Sequence, residues 1–297
     1  MPTTFPRSEA ACGDPRDAGR VTRTLLITGC SSGIGLDAAR TLHARDGWMV
    51  LASCRKPEDA RRLSDEGIQS FVLDQSTDDG VAEGVAKALD LSGGRIDAVF
   101  ANGAYALPGY AEDFPRQALR EIFETNLFGV HDLVRRLLPT LRASGDGRVV
   151  LNSSVLGFTA MPLRGAYNAT KHAMEGLFDT MRMEMRGQPL RIVLIEPGPI
   201  RTRIRENAIP HFERWIDVEG SARREDYGRL KSRLYDPPTR PDPGELGPEA
   251  VTRVLIRALE APRPRARYRV TTPTLGAEIM RRLLPTTLRD AILARGL

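Results

Sequence analysis

Hydrophobic residues in this chain fall into two alternating patterns. Short runs with few polar residues occur at TLLITG (24–29), WMVLAS (48–53), QSFVLD (69–74), IDAVFANGAY (96–105), GRVVLNSS (147–154) and LRIVLIE (190–196). Runs of this kind mark strands that are buried on both faces. Between them lie helix-length stretches in which apolar residues return every three or four positions. The longest is RQALREIFETNLFGVHDLVRRLLPTLRA, where Leu119, Ile122, Phe123, Leu127, Val130, Leu133, Val134, Leu137 and Leu138 predict one long helix over 115–143. Strand and helix alternate repeatedly, which predicts a single α/β domain. Its parallel sheet should carry helices on both faces and be joined by right-handed crossovers.

The weaker segments fit the same scheme. STDDGVAEGVAKAL reads as a helix capped by Thr77 or Ser76. The helix through Tyr167 continues with Met174, Leu177, Phe178, Met181 and Met185, a stripe that reads as core. PEAVTRVLIRALEAP is a further helix and ARYRVTTP a last strand. A Pro- and Gly-rich leader at 1–20 and an amphipathic extension at 273–297 flank the domain at 21–272, and an Arg- and Pro-rich insertion at 204–243 lies within it. The insertion reads as a long irregular loop of the lid or specificity type. The extension, interrupted by Pro285, reads as packed onto the domain or a partner subunit, with contact to a membrane or lipid-like substrate as the alternative.

Composition narrows the function. With 41% hydrophobic and 27% charged residues among 297, the chain has the make-up of an ordinary soluble protein. No apolar run of about eighteen residues occurs, and the N-terminus has no apolar core of signal-peptide length, so membrane insertion is not expected and the cytoplasm is the expected location. The net charge of +5 comes from arginines spread along the chain, without the clustered pattern of a nucleic-acid binder. Cys12, Cys30 and Cys54 form no CxxC pair, and His43, His131, His172 and His211 lie far apart. Neither a disulfide framework nor a metal site is expected.

Two groups of residues carry chemistry. Gly29, Gly33 and Gly35 follow a buried strand and open a helix, an order that cradles a pyrophosphate on backbone N–H groups, with Ser31 and Ser32 as added donors. The second strand ends in Cys54-Arg55-Lys56, with no acid at 52–57. A cation there suits the 2′-phosphate of NADP, where an acid would suit the ribose of NAD. Further on, Ser154 leads by thirteen residues a Tyr167 that is followed four later by Lys171. At that spacing the ammonium shares a helix face with the phenol and is expected to favour its ionised form. Fixed donors of this kind stabilise a developing alkoxide.

Over about residues 22–272 the chain resembles the short-chain dehydrogenase/reductase family. Thr28-Gly29-Cys30-Ser31-Ser32-Gly33-Ile34-Gly35 looks like its TGxxxGxG, Ser154 with Tyr167 and Lys171 like its Ser and YxxxK, Asn126 like its helical active-site Asn, and Pro197-Gly198 with Thr202 like its PGxxxT. CSSGIG, the Cys-Arg after the second strand and IEPGPIRT resemble bacterial NADP-dependent aldehyde reductases and retinol-dehydrogenase-like members. The resemblance implies a Rossmann-type doubly wound fold and a homodimer or homotetramer. It also implies hydride transfer between NADP(H) and a small lipophilic aldehyde, ketone or alcohol, a preference to which Leu156, Phe158, Met161 and Leu163 also point.

Implied roles follow from the same match. Tyr167 exchanges the proton, Ser154 holds the substrate oxygen, Lys171 lowers the phenol pKa and binds the nicotinamide ribose, and Asn126 positions a water that relays protons to Lys171. Asp74 and Asn102 join the glycine loop, Pro197, Gly198 and Thr202 around the cofactor. One departure stands out: the family's Asn-Asn-Ala-Gly is here Ala101-Asn102-Gly103-Ala104. A nonenzymatic NADP-binding regulator on the same fold would have lost one of Ser154, Tyr167 or Lys171, and all three are present.

Overall fold

A computed structural model describes residues 22–236 and 240–294 of the chain. The leader expected at 1–20, with Cys12, lies outside the described residues. Seven strands, β1 (Arg23–Ile27), β2 (Trp48–Cys54), β3 (Gln69–Val72), β4 (Ala98–Ala101), β5 (Gly147–Asn152), β6 (Leu190–Glu196) and β7 (Arg267–Arg269), form one parallel sheet in the order β3-β2-β1-β4-β5-β6-β7. The helices are α1 (Gly33–His43), α2 (Pro57–Asp65), α3 (Asp78–Leu91), α4 (Arg116–Phe123), α5 (Gly129–Ala143), α6 (Gly165–Glu184), α7 (Ile204–Trp215), α8 (Tyr227–Tyr235), α9 (Glu249–Glu260), α10 (Thr272–Leu283) and α11 (Thr286–Ala294). The expected single α/β domain with a Rossmann-type sheet is what the chain forms.

The apolar strands serve two cores. Side chains alternate across a strand, so Leu26 joins Leu51, Val99, Val149 and Leu194 on one face, while Leu25 and Ile27 join Val50, Phe100, Val150 and Val193 on the other. The first face is covered by α3, α5 and α6 through residues such as Val85, Val134 and Phe178, the second by α1, α2 and α9 through Leu42, Leu63 and Leu255. In the Met stripe of α6, Met174, Phe178 and Met181 are buried as expected, whereas Leu177 faces solvent. The strand order reverses between β1 and β4. Their carboxyl ends therefore splay their following loops apart and leave the crevice in which open sheets of this type bind ligands.

Two expectations are corrected. The helix expected over 115–143 is broken by a π turn, Glu124–Phe128, between α4 and α5. Just after it, a Cβ on Gly129 would lie 1.8 Å from the carbonyl oxygen of Gln75, so α5 can cross the loop after β3 only with glycine there. The π turn, a feature common at functional sites, leaves Asn126 fully buried. The insertion at 204–243 is mostly helical, as α7 and α8. Phe212, Ile216, Tyr227, Leu230 and Leu234 close over Tyr105, Leu107, Ala118, Ile122 and Ala166, and this burial orders a segment whose proline content suggested a loop. Elsewhere Thr77 caps α3 by accepting from Gly80 N at 3.1 Å, and the last strand is limited to Arg267–Arg269.

The extension is partly docked. Thr274, Ala277 and Glu278 of α10 are buried, whereas no residue of α11 is. No helix among the described residues is long and apolar enough to cross a membrane. Gly129→Ala should lower the unfolding free energy by about 2 kcal/mol or more, because backbone rather than a flexible side chain must yield. Urea titration measures this, and a loss under about 0.5 kcal/mol would show that the crossing is not tight.

Candidate active site

The crevice begins at the glycine loop. Gly29 has a left-handed backbone (φ 71°), and a Cβ on it would meet Cα of Gly103 at 2.7 Å. A Cβ on Gly103 would in turn sit 2.1 Å from Oε1 of Gln75. The permuted Ala101-Asn102-Gly103-Ala104 thus keeps glycine where backbone meets backbone. Asn102 ties the two loops together: its Nδ2 donates to the carbonyls of Thr28 at 3.0 Å and Gly29 at 3.2 Å, and Thr28 Oγ1 accepts from Asn102 N and Gly103 N.

Ser32 is the N-cap of α1 in an extended conformation, and its hydroxyl makes no capping bond, so the first-turn N–H groups still need acceptors. Arg62 of α2 anchors the carbonyl of Ser31 at 2.6 Å. Ile34 packs against the core face under α1, and Gly33 lies against Thr202 at one wall of a cavity of about 430 Å³. Pro197 O accepts from Val155 N, and Gly198 rests on Thr271 and Thr274. Narrow loop, free amides and adjoining cavity fit a dinucleotide pyrophosphate.

Arg55, at the end of β2, is exposed, and its charge is felt by Tyr105 and His211, whose rings stack at 3.8 Å. Asp74 Oδ1 accepts from both N and Oγ of Ser76, which turns the chain into α3.

Ser154 lies two residues beyond the carboxyl end of β5, and Lys171 is buried. Lys171 Nζ donates to the carbonyl oxygen of Asn152 at 2.7 Å, and Asn152 Nδ2 donates to Oδ1 of Asn102 at 2.8 Å. A continuous chain of hydrogen bonds therefore joins the lysine to the glycine loop. Asn152 was not singled out from the sequence, although an amide ending an otherwise apolar strand was the available signal. Its Oδ1 and the Ser153 hydroxyl are buried without partners among the described residues, the latter beside Gly157. Lys171 Nζ lies 5.6 Å from the centre of the Tyr167 ring. Asn126 exchanges hydrogen bonds with the backbone of Tyr105, accepting from its N at 3.1 Å and donating to its O at 2.9 Å, and reaches Thr170 Oγ1 at 3.3 Å.

The electrostatics differ from the expected pattern. Burial pushes the Tyr167 phenol up to about 12, opposed by a hydrogen bond with Ser154, and burial pulls Lys171 down to about 8, opposed by Glu175. Desolvation sets the direction for both groups, so the phenol lies above its ordinary value rather than below it. Ser154, Tyr167 and Lys171 nevertheless share one buried corner, with Asn126 behind it. Arg55 and Asp74 stand at the far rim, at the ends of β2 and β3.

The geometry coincides with what sequence comparison finds. A family model described as short chain dehydrogenase matches residues 23–211, and the chain belongs to that family. It is an NAD(P)-dependent oxidoreductase of the short-chain dehydrogenase class. An uncharacterized oxidoreductase of Escherichia coli, YbbO, is 36% identical over 271 residues, 91% of this chain and 94% of the relative. An NADPH-dependent 3-dehydrocapnine reductase of Ornithobacterium rhinotracheale is 31% identical over 93% of this chain and 97% of its own. Among solved structures, a short-chain dehydrogenase from Streptomyces avermitilis superposes with a TM-score of 0.73 at 23% identity, covering 92% of this chain and 94% of the other.

The depressed Lys171 has a consequence for stability. The folded group releases its proton near 8, whereas its unfolded counterpart holds it to an ordinary 10.5. Between those values the unfolded chain binds more protons, so the lysine makes stability rise with pH across that window. Lys171→Met should lack this rise. Denaturant titrations from pH 7 to 10 compare the slopes, and identical slopes for both proteins would refute the shifted lysine.

Proposed function

We propose that this protein reduces aldehydes or ketones carried on lipophilic chains, or oxidises the corresponding alcohols, with NADP(H). The observation that carries this reading is the shared corner of Ser154, Tyr167 and Lys171, linked through Asn152 and Asn102 to the glycine loop. Bound nicotinamide would supply or accept the hydride at the reacting carbon. The chain's own residues handle the oxygen and its proton. Ser154 holds the substrate oxygen and Tyr167 gives it a proton during reduction, or takes one during oxidation. Lys171, held by the Asn152 carbonyl, supplies positive charge beside the resulting phenolate and binds the ribose. Asn126 sits one hydrogen bond from Thr170, next to Lys171 in the chain, in keeping with a relay that reloads the proton.

The preference for NADP rests on Arg55, exposed at the end of β2 where no acid competes, and is supported by the NADPH dependence of the 3-dehydrocapnine reductase. The lipophilic preference rests on the apolar roof. Leu163, Tyr110, Phe114 and Ile209 line the buried cluster beneath α7 and α8. Phe158, expected among them, is instead covered by Arg269 and Arg281 at 5.9 and 5.8 Å. The helices of 204–243 thereby take the specificity role.

Two variants test this reading. Arg55→Ala should raise the KM for NADPH at least about tenfold while changing that for NADH far less, since a charge-assisted contact to the 2′-phosphate is lost only with the former. Equal effects on both would remove NADP preference from this residue. Tyr167→Phe should abolish turnover across a panel of aldehydes, ketones and alcohols yet still quench or shift NADPH fluorescence on binding. Retention of most of kcat would reassign the proton donor.

A further inference from the structure

The proposed reaction leaves one conspicuous cation unused. Arg164 is the N-cap of α6 and stands three residues before Tyr167, on the side of the site covered by α7 and α8. Its backbone is held deliberately. Leu163 is the single non-glycine with a left-handed backbone among the described residues (φ 62°), a conformation unfavourable for any residue with a Cβ. The strained turn is fixed from outside: Leu163 O accepts from Gly109 N at 3.0 Å, and Gly109 and Arg164 form an isolated parallel bridge.

What the turn presents is a guanidinium without an acid of its own. Among the described residues its hydrogen bond is a long one, from Nη1 to the carbonyl of Pro162 at 3.3 Å, which leaves most of its donors free. The charges that act on it are those of Arg233 near the end of α8, Arg205 at the start of α7, and Asp242. Asp242 is already engaged by both of those arginines, by Arg205 in a short contact and by Arg233 at 3.0 and 3.1 Å. The one carboxylate that acts on Arg164 is thus already paired with two other guanidinium groups. Burial, followed by repulsion from Arg233 and Arg205, pulls the Arg164 pKa down to about 10, so it is charged at neutral pH and an added anion would relieve it. Packing needs no such cluster, since the neighbouring apolar residues already close the roof.

We propose that Arg164, assisted by Arg205 and Arg233, binds a carboxylate on the substrate, so that the favoured compound is an oxo acid or hydroxy acid with an apolar chain between its two functional ends. The proposal rests on the reading of Ser154, Tyr167 and Lys171 as the site of carbonyl chemistry, and it names the substrate class for that site. The helix geometry sets the scale: residues three apart at the start of a helix are separated by roughly 5 Å along its axis. Arg164 is then within a side chain's reach of the space before Tyr167. A guanidinium and a carboxylate pair by parallel hydrogen bonds, which also fixes the direction in which the chain enters.

The test compares substrates matched in length and differing in charge. With NADPH, 6-oxohexanoate and 10-oxodecanoate are assayed against hexanal and decanal, for the wild type and for Arg164→Met, Arg164→Lys and Asp242→Asn. The wild type should favour at least one oxo acid over its neutral partner by about tenfold or more in kcat/KM, the scale of one charge-assisted contact. Arg164→Met should collapse that ratio through KM, Arg164→Lys should keep part of it, and Asp242→Asn should raise it by about threefold as the competing carboxylate is removed. A folding defect would not move the two charge-altering variants in opposite directions. A wild type indifferent to charge, or a ratio unchanged in Arg164→Met, overturns the proposal. Should no carbonyl compound be reduced at all, the proposed activity fails, and the anion site is still tested by calorimetry of hexanoate with the NADP⁺-loaded protein. Binding that is lost in Arg164→Met then supports the site, and absent or unaltered binding overturns it.

Discussion

The arrangement of this protein hangs on a short run of amide hydrogen bonds. Asn102 holds the carbonyls of the glycine loop, Asn152 donates to Asn102, and Lys171 donates to the Asn152 carbonyl. Three elements far apart in sequence, the loop after β1, the end of β4 and the end of β5, are thereby locked at one edge of the sheet. The Lys171 bond is buried and the others are partly buried, where an unmet polar group is expensive, so each residue constrains the next. Glycine loop and lysine are consequently placed in fixed relation before any ligand arrives, a preorganisation that the proposed hydride transfer at a defined carbon requires.

Burial also sets the chemical character of the site. Desolvation raises Tyr167 and lowers Lys171, driving each towards its neutral form. The nearest compensating charges belong to a second network, in which Arg267 of β7 meets Glu175 and Asp179 of α6 and Glu196 of β6. Arg269 carries the network on to Glu278 of α10. Glu196, almost wholly buried beside Glu175, is pushed up to about 7 by desolvation first and by its acidic neighbour second. Helix α10 is in this way wired to the helix that bears Tyr167 and Lys171. Its first turn does the same for the cofactor side, because Thr271 and Thr274 lie against Gly198.

The roof over the crevice follows a different rule. It has little sequence regularity and is ordered by what lies beneath it, as Phe212, Ile216 and Tyr227 fill the space above Tyr105 and Ile122. Tyr227 donates to Asp113 at 2.6 Å and accepts from Tyr110 N at 3.1 Å, so a polar anchor pins α8 to the segment that packs against the start of α6. Charge gathers where this roof meets the N-terminus of α6, around Arg164, Arg205 and Arg233. In the proposed function chemistry belongs to the sheet edge and recognition to the separately packed cover.

Much of this was legible in the chain itself. Continuous apolar strands alternating with amphipathic helices determined a doubly wound parallel sheet, because both periodicities are local and each strand must be covered on two faces. The glycine spacing and the Ser154, Tyr167 and Lys171 set were legible for a similar reason, as turn geometry and helix pitch are short-range. Tertiary structure decided the rest. The π turn at Asn126 arises from the crossing of α5 over Gln75, the helical state of 204–243 from the surface it buries, and the Asn102–Asn152–Lys171 links from strand neighbours β1, β4 and β5. Above all, the direction in which the Tyr167 and Lys171 pKa values move depends on how deeply the fold buries them, and spacing along one helix carries no information about that depth.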